Sequence, residues 1–203
     1  ELGISNIKYI QADILDLSLL DQKFDIIECA GVLHHMDDPM AGWKVLTECL
    51  NTGGLMQIGL YSELALRDID QIRDEIEQSN IGSSYNDMKL FRNKISGSEE
   101  EHHMTVISSF DFYSMSEFRD ILFHVQVHRF TIPQIEASLT QLGLVFCGFV
   151  YPSIVQKFQS RNLTENAVYD LEKWDAFEKE NPREFVGMYQ FWCQKASETI
   201  SEN

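Results

Sequence analysis

Positive charge is scarce in this sequence. Sixteen lysines and arginines stand against thirty-two aspartates and glutamates, a formal net charge of −16. A surface of that sign repels phosphate backbones and anionic lipid headgroups. The basic residues are scattered rather than clustered, so neither nucleic acid nor a membrane is expected as a partner. Long apolar runs are missing too: none approaches the ~20 residues that a membrane span requires. The opening ELGISNIKYI contains neither the basic nor the apolar region of a signal peptide. It begins with Glu1 and not with methionine, so Glu1 is not expected to be the first residue the gene encodes. Cysteine is sparse: Cys29, Cys49, Cys147 and Cys193 are far apart, with no C-x-x-C pair. Reduced, buried thiols in a cytoplasmic protein are the expectation. Among eleven glycines, no Gly-x-Gly turn separates a strand from a helix.

What is present is the alternating signature of an α/β domain, and 203 residues suffice for one core. NIKYIQAD, ending at Asp13, is β-branched and aromatic and predicts a strand. FDIIECAG predicts a second, apolar on both faces, as a buried parallel strand would be. In DDPMAGWKVLTECL, Asp37 or Asp38 caps a helix, Pro39 fits its first turn, and Trp43, Leu46 and Leu50 share a side. NTGG ends it and LMQIGLYS predicts a third strand, completing a parallel βαβ unit. The middle is helical: ELALRDIDQIRDEIEQS is amphipathic, NIGSSYNDMK breaks it, ISGSEEEHH reads as a polar loop with Glu99–Glu101 solvated, and SMSEFRDILFHVQ resumes helical spacing behind Ser114 and Glu117. TIPQIEASLTQLG carries a capping box of Thr131 and Gln134 and a stop at Gly143. LVFCGFV predicts a strand, AVYDLEKWDAFEKE a helix, and GMYQFWCQKA the last strand.

YIQADILDL, FDIIECAGVLHHMDDP and LNTGGLMQIGLYS, in that order and spacing, resemble the later motifs of class I S-adenosylmethionine-dependent methyltransferases. The resemblance runs on through IPQIEASLTQLGLVFCGF to YQFWCQK and is weakest over residues 63–130. FYSMSEFRDILFHVQVHRFTI also resembles methyltransferase domains of bacterial proteins that carry tetratricopeptide repeats. The resemblance implies a Rossmann-like fold: a mostly parallel twisted sheet with helices on both faces, here lacking the first βαβ unit, with residues 63–130 a helical insertion or cap within a single incomplete domain, 1–203. The family's strand order is 3-2-1-4-5-7-6, and its glycine-rich loop and ribose-binding acid precede the part matched here. The chain is therefore expected to be part of a longer protein and, alone, inactive.

The resemblance also implies site residues. Ligands in such sheets lie across the carboxyl ends of the strands. The Asp13 carboxylate would accept from the adenine amino group of S-adenosylmethionine and the Ile14 N–H would donate to the ring. Ala30, Gly31 and Val32 would face the methionine end. Asp13 has a plainer reading as the cap of DILDL, and Gly31 as a turn glycine. His34 and His35, adjacent and so diverging, are candidate general bases, with a plain loop role as the alternative; Tyr113 and Arg129 are candidate substrate contacts. His124 and His128 have helical metal spacing, and His102 and His103 follow three glutamates, but no zinc-type signature surrounds either pair, so no metal is expected. Two functions remain in play: methyl transfer to an unknown acceptor, and a non-catalytic interaction module that keeps the second half of the fold. Without the family's strands 1 and 2, the edge of FDIIECA would be bare. Either residues 7–12 pair with 25–30, or the chain self-associates through that edge.

Overall fold

The computed structural model describes residues 6–123 and 127–196. Residues 6–13 run as irregular chain into a 3₁₀ turn over Ile14–Leu20, and strand β1 follows at Phe24–Ala30. Helix α1, Pro39–Cys49, starts as its sequence dictates. Asp38 Oδ1 accepts from the N–H groups of Met40 and Ala41 at 2.9 and 3.1 Å, and Pro39 occupies the first turn, where no N–H is needed. Its buried side carries Trp43 and Leu46. The chain enters strand β2, Leu50–Tyr61, directly, and β2 pairs in parallel with β1. Helices α2 (Arg67–Gln78), α3 (Tyr85–Ile95), α4 (Glu101–Ile107) and α5 (Met115–Phe123) come next. Helix α6, Ile132–Leu142, has both arms of the capping box, Thr131 with Gln134, and ends on Gly143 at φ +66°. Strand β3 (Leu144–Phe149), helices α7 (Pro152–Arg161) and α8 (Leu171–Glu180), and strand β4 (Met188–Lys195) complete the chain.

The strand order is β1-β2-β4-β3, with β4 antiparallel to both neighbours. This is the 4-5-7-6 half of the expected family sheet. The strand pairing nevertheless corrects one expectation: of three pairings, one is parallel. The parallel majority would come from strands 1 to 3 of the family order, which are not among the described strands.

Cross-strand neighbours share a face. Cys29, Ile58 and Phe191 stand in one row, and Met56, Cys193 and Phe146 in the next. All are buried and form one core with Trp43 of α1, Ile135 and Leu139 of α6, Phe158 of α7 and Trp174 of α8. Phe158 and Trp174 stack at 3.7 Å. The helices that build this core thus lie on one face. On the other face Ile26 is 60% exposed, Val145 54%, and Leu55 and Trp192 are half-buried, so helices on both faces are not found among the described residues. A second core, of Ile69, Ile72 and Ile76 from α2, Met88 and Phe91 from α3, Val106 from α4 and Phe118 and Leu122 from α5, holds the four middle helices together. Between the two cores lies a buried polar knot. The Tyr189 hydroxyl contacts both Glu178 oxygens at 2.7 Å, and Ser62 Oγ donates to Glu178 at 2.9 Å while accepting from the Ala65 N–H at 3.0 Å.

Further expectations are corrected along the chain. Residues 6–13 form no strand, nor do they pair with β1, because a β-branched run becomes a strand only where a neighbouring edge accepts its hydrogen bonds. Tyr9 is 90% exposed here. Consequently, β1 is an edge strand, exposed at Asp25, Ile26 and Glu28 rather than buried on both faces. NTGG does not separate helix from strand; it lies within β2. The stretch predicted to break the middle helices contains the start of α3, and the polar loop predicted through His103 ends at Glu100, where α4 begins.

Candidate functional site

A groove opens beyond the carboxyl end of β1. It is lined by Ala12, Asp13, Ile14, Leu15, Val32, Met36, Asp37 and Asp38 and encloses about 510 Å³, within the ~300–1,000 Å³ range of small-molecule sites. Asp13, Ile14 and Val32 therefore converge, although the segment bearing the first two is not a strand. Asp13 Oδ1 accepts from the Leu15 N–H at 2.9 Å and so caps the 3₁₀ turn. That bond fixes the carboxylate and leaves Oδ2 outside the cap. The plainer reading of Asp13 is realised, and it leaves the other oxygen for a ligand.

Gly31 follows β1 at φ +77°, a conformation that costs L residues strain, and its N–H donates to the Gly59 carbonyl at 3.3 Å. Nothing lies within 4 Å of where a Cβ would stand, so the glycine answers to the backbone angle and opens space at the strand end. Gly59 on β2 differs: a Cβ there would stand 2.9 Å from both Cα and Cβ of Ala30. Ala30 and Gly59 face each other so closely that only a glycine fits.

His34 and His35 lie in the turn after β1, Leu33–His35. His34 is fully buried, its ring stacked on Tyr61 at 3.9 Å, and neither ring nitrogen has a hydrogen-bond partner. Burial, reinforced by the neighbouring His35, holds its pKa down at about 4, with the Gly59 carbonyl pulling weakly the other way. His35 is half-buried, 4.4 Å from the His34 ring and edge-on to Tyr61. The segment after α5 returns over this pair: the His128 N–H donates to the His34 carbonyl at 2.8 Å, and the Phe130 N–H to the Tyr61 carbonyl at 2.9 Å. Burial, with the charges of Asp111 and Asp120 adding to it, holds Tyr61 above the ordinary phenol range.

The two substrate candidates separate. Arg129 is mostly buried and ion-paired with Asp70 of α2; burial lowers its pKa, and Glu63 opposes that. It ties the return segment to α2. Tyr113 is 74% exposed, packs edge-on against Phe112, 5.4 Å away, and is not among the residues that line the groove. Of the spaced histidines, His124 lies outside the described residues. The sequence reading singles out neither Tyr61 nor Met36, and His128 only for its spacing from His124. Tyr61 closes the third-strand motif, which was the available signal; the contribution of His128 depends on a long-range return that no local pattern encodes. Cys29, Cys49, Cys147 and Cys193 are all free, and burial raises the Cys193 thiol to about 12.

Comparison with known proteins agrees with this architecture. Residues 1–58 match the family described as a methyltransferase domain. An uncharacterised protein of Synechococcus is 37% identical over 70 residues, 34% of this chain and 17% of that protein. A tRNA U34 carboxymethyltransferase of Campylobacter fetus is 46% identical over 50 residues, 25% of this chain and 18% of the enzyme. Among solved structures, PKMT2 from Rickettsia typhi superposes with a TM-score of 0.61 at 15% identity, over 93% of this chain and 38% of that one; the same protein in complex with AdoHcy gives 0.61 at 16%. The fold is therefore the Rossmann-like methyltransferase fold, and the chain spans well under half the length of these relatives. Among the described residues, no helix is long and apolar enough to cross a membrane.

Proposed function

We propose that this chain contributes the adenine and methionine side of an S-adenosylmethionine site and part of the acceptor site of a methyltransferase, working as part of a longer protein. The observation that carries the reading is the convergence of Asp13, Ile14 and Val32 on one groove, beside a strand end kept open by Gly31 and by the Ala30–Gly59 contact. The residues suit the cofactor. Asp13 Oδ2 is available to accept from an amino group, and Val32 and Met36 offer apolar walls to a flat ring. Bound there, S-adenosylmethionine would supply an electrophilic sulfonium methyl group.

The protein's own task is then alignment. Holding an acceptor nucleophile in line with a methyl group removes entropic cost without any charged intermediate on the protein. A group with a pKa near 4 accepts a proton poorly at neutral pH, so His34 is better suited to shaping the pocket floor against Tyr61 than to taking a proton. His35 is the remaining base candidate for acceptors that must lose one. The net charge of −16 favours an acceptor that is not a polyanion. Cytoplasmic placement and the narrower likeness to repeat-bearing bacterial methyltransferases belong to this reading too. A non-catalytic module draws support only from the open edge of β1.

The test is calorimetry with S-adenosylhomocysteine, on these 203 residues and on a version extended toward the amino terminus. Binding by the extended protein, with much weaker binding by the shorter one, is expected. Absence of binding by both overturns the proposal.

A further inference from the structure

A second cluster lies away from the groove, where α2 meets α4. Glu75, near the end of α2, faces His102 and His103 in the first turn of α4 and Glu100 just before it. His102 Nε2 is 2.5 Å from Glu75 Oε1 and 3.3 Å from Glu100 Oε2; His103 Nε2 is 3.1 Å from Glu75 Oε2. One donor atom from each of the four side chains lies within 4.8 Å of all the others. We propose that these four residues form a binding site for one divalent first-row transition-metal ion, with zinc the simplest occupant. The proposal stands independently of methyl transfer.

Four features carry it. First, the spacing is right. Zinc bonds of about 2.0–2.2 Å set tetrahedral ligand–ligand edges of roughly 3.3–3.6 Å. The separations of 3.1 and 3.3 Å are near that value, the 2.5 Å contact of His102 with Glu75 has to open by about an ångström, and the remaining edges, all within 4.8 Å, have to close by at most about 1.5 Å. Second, the donor set is two imidazoles and two carboxylates, which favours zinc, iron, cobalt or nickel over magnesium or calcium. Third, the outer contact is present. His103 Nδ1 is 2.7 Å from Ser98 Oγ, and that hydroxyl also accepts from the Glu100 N–H at 3.2 Å. A hydroxyl oxygen has lone pairs for both. With Nδ1–H donated to Ser98, the imidazole presents the bare Nε2 to a metal, which is how ligating histidines are commonly held. Fourth, the carboxylates lack another cation. Among the described residues, Glu75 and Glu100 pair with no lysine or arginine, whereas neighbouring Glu101 and Asp68 are both satisfied by Arg183.

The burial is graded as a structural site with one open side would require. His103 is buried, His102 and Glu75 are half-buried, and Glu100 is exposed, so an ion would be gripped from α2 and reachable from solvent past Glu100. Its effect would be to fasten α4 to α2 within the middle helices. Sequence spacing hides the set. Glu75 is 25 residues from Glu100, and adjacent histidines look divergent until a carboxylate on a packed helix bridges them; their ring centroids are 4.3 Å apart.

The experiment is zinc titration of chelator-treated protein, followed by calorimetry and by thermal melting, with cobalt as an optical probe. One zinc per chain is expected, with a raised melting temperature and cobalt bands characteristic of nitrogen and oxygen ligation. The H102A/H103A double variant should lose the site, Glu75→Gln should weaken it at least tenfold, and Glu172→Gln, a distant surface carboxylate, should leave it unchanged. Magnesium in hundredfold excess should not displace the zinc. Several weak sites per chain, indifferent to the histidine substitutions or displaced by magnesium, would show that the acidic surface merely collects cations, and the proposal would fail. If the double variant does not fold, the cobalt spectrum of the unaltered protein decides: no ligand-field bands at one equivalent overturns the site.

Discussion

Replacing Tyr189 by phenylalanine removes a single hydroxyl from the polar knot that joins α8, β4 and the end of β2. That hydroxyl lies 2.7 Å from both oxygens of Glu178, and Glu178 is 3% exposed. One hydrogen serves both contacts, so the loss is one hydrogen bond to a charged acceptor, about 1.5–3 kcal/mol. Ser62 remains, which keeps the cost toward the middle, about 2 kcal/mol. For a domain of this size that lowers the melting temperature by about 4–8 °C. The penalty should depend on pH. Burial raises the Glu178 pKa, against the opposing hydrogen bonds from Tyr189 and Ser62. A raised carboxyl contributes stability that is complete below its unfolded pKa and is lost as pH rises through its folded value. Without the tyrosine the folded value rises further, so Tyr189→Phe should cost more at pH 8 than at pH 5. Urea unfolding at both pH values measures this. A loss below about 0.5 kcal/mol at pH 8, or a larger loss at pH 5, refutes the reasoning.

Other outcomes follow from the same contacts. His34→Phe should flatten the acid limb of stability: a histidine held at about 4 stabilises fully above its unfolded value near 6.5, and that contribution is lost as pH falls from 6.5 to 4. Denaturant midpoints across that window test it, and a slope unchanged from wild type contradicts it. Gly59→Ala should destabilise by about 1–3 kcal/mol because the added methyl overlaps Ala30, and thermal melting reads the loss. Gly31→Ala meets no neighbour, so its cost of about 1 kcal/mol should come from the backbone angle alone. The unpaired outer edge of β1 should make the chain self-associate; light scattering showing a monomer at all concentrations counts against it.

Legibility in the sequence followed the range of the forces involved. Helices α1 and α6 were readable because their signals are local: Asp38 and Pro39 start one, and Thr131, Gln134 and Gly143 bound the other. The βαβ unit and β3 and β4 were readable from apolar runs. Helix α3 carries a local signal too, since Ser84 caps it by accepting from the Asp87 N–H at 3.2 Å. Residues 6–13 have strand-forming side chains yet form no strand, because strand formation depends on a neighbour that a β-branched run does not supply. At the groove, motif order pointed to Asp13, Ile14 and Val32, which the fold brings together. Tyr113 and Arg129 are substrate candidates through the family resemblance alone; in the fold one faces solvent and the other holds Asp70. The stacking of His34 on Tyr61 and the clustering of Glu75 with His102 and His103 arise only when distant segments pack, so no pattern along the chain announced them.

The reading of the groove turns on one carboxylate oxygen, and one substitution isolates it. Asp13→Asn keeps an oxygen to accept from the Leu15 N–H, so the cap and the local fold survive, but it places an amide NH₂ where Oδ2 stood. Calorimetric titration of S-adenosylhomocysteine into the extended protein, wild type against Asp13→Asn, is the direct measurement. The account predicts a well-folded variant whose affinity falls by about 1–3 kcal/mol, roughly 5- to 150-fold, the cost of an unmatched buried donor. Equal affinity in both proteins, with melting temperatures also equal, would contradict the placement of the cofactor.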